Sequence, residues 1–406
     1  MVRTASWIAL TTLCVSLVLM PGGASDFTLE IFGNANMDDT IDEQDLDYVR
    51  GIIDGTSEPT LLADANYDGE IDEKDIAQIE LIIRGEETEL TIVDCDGEIV
   101  TVHRPINKVV AIADPTVEAL RILDAKDTIV AIDEMTRRDV PSFLAELIEL
   151  PSVGERPEPD VETIIELEAD LVILGPRQWH GKDLESKLAG TNIDVARLWL
   201  ANSDVVLSEI FILGYLLGEV DRAEEYREWH DKTIGEIEEK ISAIPEDELP
   251  KVFWDRPGKT TCGGESSYQR TLGVAGGNNI AFDLEKYPEV DPEWVLQENP
   301  DVVLGLSFTG GYESDNLTAL STRYDEIIGT PGFDNLNAVK NGKVFVTHYI
   351  IHCNPGYPVG AAYLAKWLHP ELFPELDPQA IHQEYLNEFQ GIDFDVKEQG
   401  AFVYAP

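Results

Sequence analysis

The chain has 406 residues, of which 43% are hydrophobic, and this length allows two or three domains with a sizeable core. Its 78 acidic and 29 basic residues give a formal net charge of −49 at pH 7. This charge excludes nucleic acid as a natural partner, because the phosphate backbone would be repelled. The acidic residues are spread along the chain, which predicts a solubilising acidic surface.

Residues 1–25 have the pattern of a secretory signal peptide. Arg3 precedes an apolar run from Trp7 to Met20, and small residues follow from Gly22 to Ser25. The run is short for a membrane span, and no later apolar stretch is long enough to cross a bilayer. We therefore expect an exported protein outside the cytoplasmic membrane, at the cell surface or in a periplasm-like space. It would be soluble unless the signal is retained as an anchor.

Two segments after the signal repeat each other thirty residues apart and carry oxygen-bearing side chains at calcium-loop spacing. Positions 1, 3, 5, 9 and 12 of each twelve-residue loop are Asp or Asn, and position 7 lends a backbone carbonyl. Apolar residues in matching register predict one helix after each loop. We therefore predict two calcium sites, with the ligands Asn34, Asn36, Asp38, Thr40, Asp42 and Asp45 in the first loop and Asp64, Asn66, Asp68, Glu70, Asp72 and Asp75 in the second.

Two features narrow this interpretation. The last loop position is Asp rather than Glu in both copies, and a single helix follows each loop. Residues 32–86 thereby resemble a type I dockerin domain. The resemblance implies an all-α module, over residues 26–88, that folds around two calcium ions and docks on a cohesin-containing protein. Asp39 replaces the glycine that Gly69 supplies in the second loop, which predicts weaker calcium binding by the first.

From Leu90 onward, short apolar runs alternate with helical stretches. Continuous apolar runs without alternation are typical of strands buried on both faces, as in parallel sheets covered by helices. No glycine-rich phosphate loop follows these runs, which argues against a nucleotide enzyme. The predicted strands are 109–112, 129–132, 171–174, 195–196, 252–254, 302–304 and 344–346.

A long helix is predicted over residues 221–245, between two α/β halves. Proline residues end it, and its apolar stripe consists of Ile234, Ile237, Ile241 and Ile244. The halves repeat each other, because the segment that begins at Glu162 matches the one at Glu293, 131 residues later. We therefore predict two Rossmann-like lobes, over 89–220 and 246–406, joined by the long helix.

Residues 95–390 resemble the solute-binding proteins of ABC importers for iron-siderophore complexes, haem and vitamin B12. The resemblance implies two lobes joined by one long rigid helix, with the ligand in the cleft between them. It also implies that Glu162 and Glu293, one on each lobe, dock on arginines of the membrane permease. The segments that carry it occur in family order and are Val153-Gly154, Glu162 to Val172, Ala275 to Ile280 and Glu293 to Asp301.

Loops at the carboxyl ends of the predicted strands are the expected ligand site. Arginine is scarce in this chain but recurs in these loops, beside tryptophan and tyrosine. Arginine recognises carboxylate or phenolate groups, and aromatic rings supply flat apolar walls. We therefore predict an anionic metal chelate, either a ferric siderophore-like complex or a corrinoid or haem. The candidate contacts are Arg137, Arg156, Trp179, His180, Trp254, Arg256, Tyr268 and Tyr349.

Other interpretations remain open from the sequence. Three histidines and Cys353 could ligate a metal directly, although their spacing matches no compact zinc motif. Cys262 and Cys353 could form a disulfide. A dockerin-borne secreted hydrolase and a structural cell-surface protein are the competing functions. The Gly-x-Ser-x-Gly and His-Glu-x-x-His motifs are absent, and we therefore predict no enzymatic activity. We favour delivery of the chelate to an ABC importer, with the dockerin as a tether.

Overall fold

A computed structural model describes residues 27–406, and the predicted signal peptide lies outside this range. The first described segment, residues 27–86, is an N-terminal helical module with α1 (Glu43–Ile53) and α2 (Glu73–Arg84). Each helix begins at a capping box, in which Asp42 or Asp72 is the N-cap residue. The two predicted helices are therefore present, one after each loop.

The next elements build the N-lobe around a four-stranded parallel sheet of order β4-β3-β5-β6. An antiparallel hairpin, which the sequence analysis did not predict, precedes this sheet. The strands are β1 (Glu89–Val93) and β2 (Ile99–His103) of the hairpin, then β3 (Val109–Ala111), β4 (Ile129–Ile132), β5 (Leu171–Leu174) and β6 (Asp194–Arg197). The helices are α3 (Asp114–Ile122), α4 (Glu134–Asp139), α5 (Val161–Glu166), α6 (Leu184–Leu188) and α7 (Val206–Leu217).

The interlobe helix α8 (Val220–Ile241) has 22 residues and is therefore about 33 Å long. Its apolar stripe is buried at Ile234, Ile237 and Ile241. The helix ends four residues before Pro245, earlier than predicted. The reason is that proline lacks the N–H that would bond to the fourth carbonyl before it and disfavours helix in the preceding residue.

The C-lobe has a five-stranded sheet of order β11-β10-β9-β7-β8, in which only β11 is antiparallel to its neighbour. The strands are β7 (Lys251–Asp255), β8 (Asn278–Asn279), β9 (Val302–Ser307), β10 (Val344–His348) and β11 (Val403–Tyr404). The helices are α9 (Gln269–Val274), α10 (Pro292–Glu298), α11 (Thr318–Ile328), α12 (Asn337–Lys340), α13 (Tyr357–Leu368) and α14 (Pro378–Tyr385). All seven predicted strands are present, and every residue of β3, β5 and β9 is buried.

The N-terminal module packs against the N-lobe and the interlobe helix. Ile31 forms an isolated β-bridge with Ile92 of the hairpin. The backbone N–H of Ile41, in the first loop, donates to the Tyr215 hydroxyl of α7 at 3.1 Å. These buried contacts make the module part of the folded body. None of the helices in residues 27–406 has the length and apolarity of a membrane span.

Candidate ligand-binding cleft

A cavity of about 290 Å³ lies between the two lobes, at the carboxyl ends of their strands. The N-lobe contributes the loops that follow β3, β5 and β6, and the C-lobe contributes segments near β10 and before α10. Its chemically distinctive lining residues are Asp114, Arg156, Trp179, His180, Trp199, Lys286, Tyr287, Tyr349, Cys353 and Asn354.

Arg156 is held by two buried carboxylates. Its Nε donates to Asp133 Oδ1 at 2.8 Å, and its Nη2 donates to Asp114 Oδ1 at 2.9 Å. Burial alone would raise the pKa of Asp133, but Arg156 and hydrogen bonds from Thr136 and Ala113 hold that pKa below its usual value. Burial opposes the charge of Arg156, yet the two aspartates raise its pKa above normal. Two carboxylates on one guanidinium leave this cluster with one surplus negative charge.

The local chain positions this cluster. Asp133 is the N-cap residue of α4 and accepts the backbone N–H of Ala113 at 2.8 Å, which joins the ends of two neighbouring strands. Ala113 has a φ of 89°, a left-handed value that is strained for a residue with a side chain. Strain of this kind persists where the surrounding hydrogen bonds fix the backbone, and here it lies at the edge of the cavity.

His180 supplies a hydrogen-bond donor to the cavity. The backbone N–H of Gly175 donates to its Nδ1 at 2.9 Å, so in the neutral ring the proton is on Nε2. Burial, together with the nearby Arg156, lowers the pKa of His180 to about 4. The ring is therefore neutral near pH 7. A Cβ on Gly175 would lie only 2.7 Å from Nδ1, which explains the glycine.

Aromatic rings and one lysine form another part of the cavity lining. The rings of Trp179 and Trp199, both on the N-lobe, lie 5.5 Å apart. The ammonium group of Lys286, from the C-lobe, lies 4.3 Å from the first ring centroid and 4.6 Å from the second. These are cation–π distances, so Lys286 connects the lobes across the cleft. Burial lowers the pKa of Lys286.

A buried network crosses the lobe interface beneath the cavity. Asn354 Nδ2 donates to Glu118 Oε1 at 2.6 Å and lies 3.3 Å from Asp114 Oδ2. The Tyr385 hydroxyl donates to Glu118 Oε2 at 2.7 Å. Complete burial raises the pKa of Glu118 to about 8, despite these two donors. The network joins α3 of the N-lobe to two segments of the C-lobe.

The structure brings four of the eight predicted contact residues to the cavity, namely Arg156, Trp179, His180 and Tyr349. Trp254 is fully buried, with its ring 5.6 Å from that of Tyr268, so both lie behind the cavity wall. The guanidinium of Arg256 stacks 4.4 Å from the ring of Tyr287 and borders a separate cavity. Arg137 lies away from the cleft, because its guanidinium donates to the Leu150 carbonyl.

Sequence reasoning missed several lining residues. Trp199 lies two residues after β6, so the strand-end rule could have found it. Asp114 directly follows a strand end in the same way. Lys286 and Asn354 belong to segments that do not directly follow a long strand, and no sequence pattern marked them.

Direct metal ligation in the cleft finds no geometric basis. No group of three or more His, Cys, Asp or Glu side chains converges as a metal site in residues 27–406, and this holds for the carboxylates of the two acidic loops as well. His352 Nε2 lies 2.8 Å from the Thr347 hydroxyl, and burial lowers the pKa of His348 and of His352 to about 3. Cys262 and Cys353 are free thiols, so the disulfide that the sequence left open is not formed.

The two acidic loops share one hydrogen-bond framework. The backbone N–H groups of Asn36 and Asp42 donate to Asp45, and those of Asn66 and Asp72 donate equivalently to Asp75. Both recipient carboxylates are fully buried. Burial raises the pKa of Asp45 to about 6 and that of Asp75 in the same direction. The two loops therefore share a buried carboxylate at their last position.

The second loop has the left-handed glycine of the calcium-loop pattern, and the first loop does not. Gly69 has a φ of 91° and donates its N–H to Asp64 Oδ2 at 2.9 Å, whereas the equivalent Asp39 is not left-handed. Lys74 Nζ lies 2.7 Å from Asp68 Oδ2, so an ammonium group already pairs with one of the predicted calcium ligands of this loop. The two loops therefore differ in backbone geometry and in the partners of their carboxylates.

Two α/β lobes around one cleft, joined by a single long helix, define a bilobal solute-binding protein. Residues 109–350 match the sequence family described as "Periplasmic binding protein". Because this match spans more than half of the chain, the protein belongs to the periplasmic binding protein family.

Curated relatives agree with this assignment. The ferric-anguibactin-binding protein FatB of Vibrio anguillarum is 26% identical over 258 residues, which are 61% of this chain and 76% of FatB. The Fe(3+)-citrate-binding protein YfmC of Bacillus subtilis is 25% identical over 54% of this chain and 66% of its own.

Solved structures share the fold. The TroA-like periplasmic binding protein FepB from Veillonella parvula superposes with a TM-score of 0.66 at 21% identity, covering 78% of this chain and 99% of its own. Molybdate-bound MolA of Haemophilus influenzae gives a TM-score of 0.63 at 19% identity, covering 75% of this chain and 98% of its own. The protein is thus an extracytoplasmic solute-binding protein of an ABC importer and not an enzyme. This finding overturns the hydrolase alternative.

Proposed function

We propose that this protein captures an iron chelate in the interlobe cleft and delivers it to an ABC importer permease. The observation that carries the proposal is the cavity between the lobes, with Trp179, Tyr287 and Tyr349 as flat walls and His180 as a neutral donor. Such a combination suits a compact ligand with aromatic or planar parts and a few polar groups. The names of two relatives, which bind ferric anguibactin and ferric citrate, support the same ligand class.

The volume of the cavity bears on whether the ligand is a siderophore-like complex, cobalamin or haem. At about 290 Å³, the cavity is at the lower end of the range for small-molecule sites, which is roughly 300–1,000 Å³. A ferric siderophore-like complex is therefore favoured over cobalamin or haem, whose macrocycles would require the lobes to part.

Permease docking is proposed for Glu162 and Glu293. Each is an exposed residue in the first turn of its helix, α5 or α10, two residues after an Asp N-cap. Neither carboxylate has an ion-pair partner within residues 27–406. Their equivalent placement on two lobes supports a pair of acidic contacts for basic residues of the permease.

The N-terminal module is proposed to be the dockerin tether, with two calcium ions as cofactor and a cohesin-containing protein as partner. The repeated loop framework and the buried Asp45 and Asp75 support this part of the proposal. Calcium would supply charge compensation that the loops themselves lack.

A ligand titration of the full chain tests the central proposal. Ferric anguibactin, ferric citrate, cyanocobalamin, haemin and molybdate are each added while tryptophan emission and visible absorbance are recorded. A ferric chelate should bind with quenched emission, because Trp179 and Trp199 line the cavity. Saturation by molybdate or a corrinoid, with no response to either ferric chelate, would replace the proposed ligand class.

A further inference from the structure

Only two permanent cations line the interlobe cavity among residues 27–406, Arg156 and Lys286. The charge of Arg156 is outnumbered, since Asp133 bonds to its Nε and Asp114 to its Nη2. No carboxylate lies within ion-pair distance of Lys286 in the same part of the chain, although the charge of Glu265 partly offsets the fall in the pKa of Lys286 that burial causes. The lining of the cavity therefore includes one cluster with a surplus negative charge and one ammonium group without a directly paired carboxylate.

We propose that Lys286 is the anion-recognising residue of this cleft, and that the cleft selects a ligand with a single anionic group. The inference rests on the proposed function, because it names the charge of the solute that the same cavity takes. An anionic oxygen of the ligand would pair with the ammonium of Lys286. The opposite end of the ligand, near Asp114, would be neutral, cationic or a hydrogen-bond donor.

The position of Lys286 suits this role. Its backbone is fixed, because its carbonyl accepts the N–H of Gly263 at 3.0 Å. Its ammonium group lies over the faces of Trp179 and Trp199 and 6.0 Å from the ring centroid of Tyr287. A cation–π contact is weaker than a charge-assisted hydrogen bond to a carboxylate or phenolate. The side chain can therefore exchange one partner for the other while the backbone stays in place.

The Arg156 cluster would make the cleft discriminate between singly and doubly charged ligands. A second anionic group on the ligand would lie near Asp114, whose carboxylate lines the cavity and is not fully neutralised. Like charges repel more strongly in a partly enclosed site than in bulk water. The cleft would therefore bind a dianion less tightly than a monoanion of similar size, and ferric citrate, whose complexes carry several negative charges, less tightly than a singly charged ferric chelate. This assignment changes the expected role of Arg156, because Asp114 and Asp133 outnumber its charge and the cluster repels an anion.

Small aromatic carboxylates test the assignment without requiring the natural ligand. Salicylate, with one charge, and terephthalate, with two at opposite ends of its ring, are titrated into the full chain by calorimetry at low salt. The wild type should bind salicylate at least tenfold more tightly than terephthalate. Lys286→Met should weaken salicylate binding about tenfold and remove its salt dependence. The matched control is Lys397→Met, an exposed lysine of the same lobe that does not line the cavity.

A second variant tests the rejection. Asp114→Asn removes the surplus charge with little change of shape, and it should narrow the preference for salicylate over terephthalate to less than threefold. Equal salicylate affinity in Lys286→Met and the wild type, or no salicylate binding by the wild type, would overturn the assignment. Salicylate binding that depends on Lys286, combined with no binding of any ferric chelate, would support Lys286 while refuting the proposed chelate function.

Discussion

Arg227 of the interlobe helix forms an ion pair with Asp39 of the first acidic loop. The same guanidinium lies 5.6 Å from the ring of Phe27 and 5.7 Å from that of Phe211. Asp39 occupies the position at which the second loop has Gly69. The departure from the calcium-loop pattern therefore has a structural counterpart, because this carboxylate binds the interlobe helix. The first loop connects the module to the lobes, whereas the second remains more exposed.

Replacing Arg227 should loosen the N-terminal module. Arg227→Ala removes a partly buried ion pair and two ring contacts, so we expect a loss of about 1–2 kcal/mol in the free energy of unfolding. Urea denaturation would measure this loss, and limited proteolysis between the module and the lobes would show the loosening. The control is Arg50→Ala, whose ion pair with Asp47 is exposed and should contribute under about 1 kcal/mol. Equal effects of the two substitutions would contradict the role of Arg227.

Arg156→Ala should destabilise the N-lobe even when no ligand is bound. The change leaves Asp114 and Asp133 buried without their cation, and removing one partner of a buried pair costs about 3–5 kcal/mol. Chemical denaturation without ligand would show the loss. Arg138→Ala, which breaks an exposed pair with Asp139, serves as the control. Unchanged stability with greatly reduced affinity would show that Arg156 mainly serves the ligand.

Glu118 should make stability depend on pH. Its folded-state pKa is about 8, above the ordinary 4.5, so the folded protein retains a proton that the unfolded chain has lost between these values. Its contribution is complete below about pH 4.5 and is lost as the pH rises through 8. Burial also raises the pKa of Glu209 to about 8, so its contribution to stability is likewise lost as the pH rises through 8.

Glu118→Gln should therefore flatten the fall in melting temperature between pH 5 and 8, because glutamine imitates the protonated acid. Glu166→Gln, at an exposed position of α5, should leave the profile unchanged. If the melting temperature of Glu118→Gln depends on pH as that of the wild type does, the role of Glu118 in this pH dependence is refuted.

Part of this architecture follows directly from the sequence. The strands were predictable because strands buried on both faces, such as Leu171–Leu174, are unbroken apolar runs. The β1–β2 hairpin was missed although Asp96-Gly97, a common hairpin turn, lies between its strands. The charge state of the cleft was not predictable, since the two aspartates on Arg156 come from the ends of different strands. Such pairings depend on tertiary packing, which residue spacing does not contain.

The two docking glutamates should matter for transport and not for binding. Glu162→Arg together with Glu293→Arg reverses two exposed charges, so uptake through the permease should fall at least tenfold while chelate affinity stays within about twofold. Uptake by reconstituted transporter and calorimetric affinity are the two measurements. Glu166→Arg, on the same helix as Glu162, is the control for a charge reversal outside the proposed docking positions. Wild-type uptake by the double variant would refute docking through these residues.

Calcium removal should unfold the N-terminal module while the lobes persist. Asp45 and Asp75 are completely buried, and burial raises the pKa of both carboxyl groups, so at neutral pH each ionised group is desolvated and favours a cation. Chelator added to the full chain should lower helical circular dichroism by an amount that matches α1 and α2.

The two loops should contribute unequally to this effect. Asp75→Ala should weaken calcium binding more than Asp45→Ala, because only the second loop has the left-handed Gly69 and its hydrogen bond to Asp64. Calorimetric calcium titration of both variants, beside the wild type, measures the difference. Asp45→Ala has a second effect, since its loop contacts Tyr215 and Arg227, so proteolysis of the module is recorded for both variants. A helical spectrum that is unchanged in chelator would refute the calcium assignment, and a larger calcium defect in Asp45→Ala would reverse the order of the two loops.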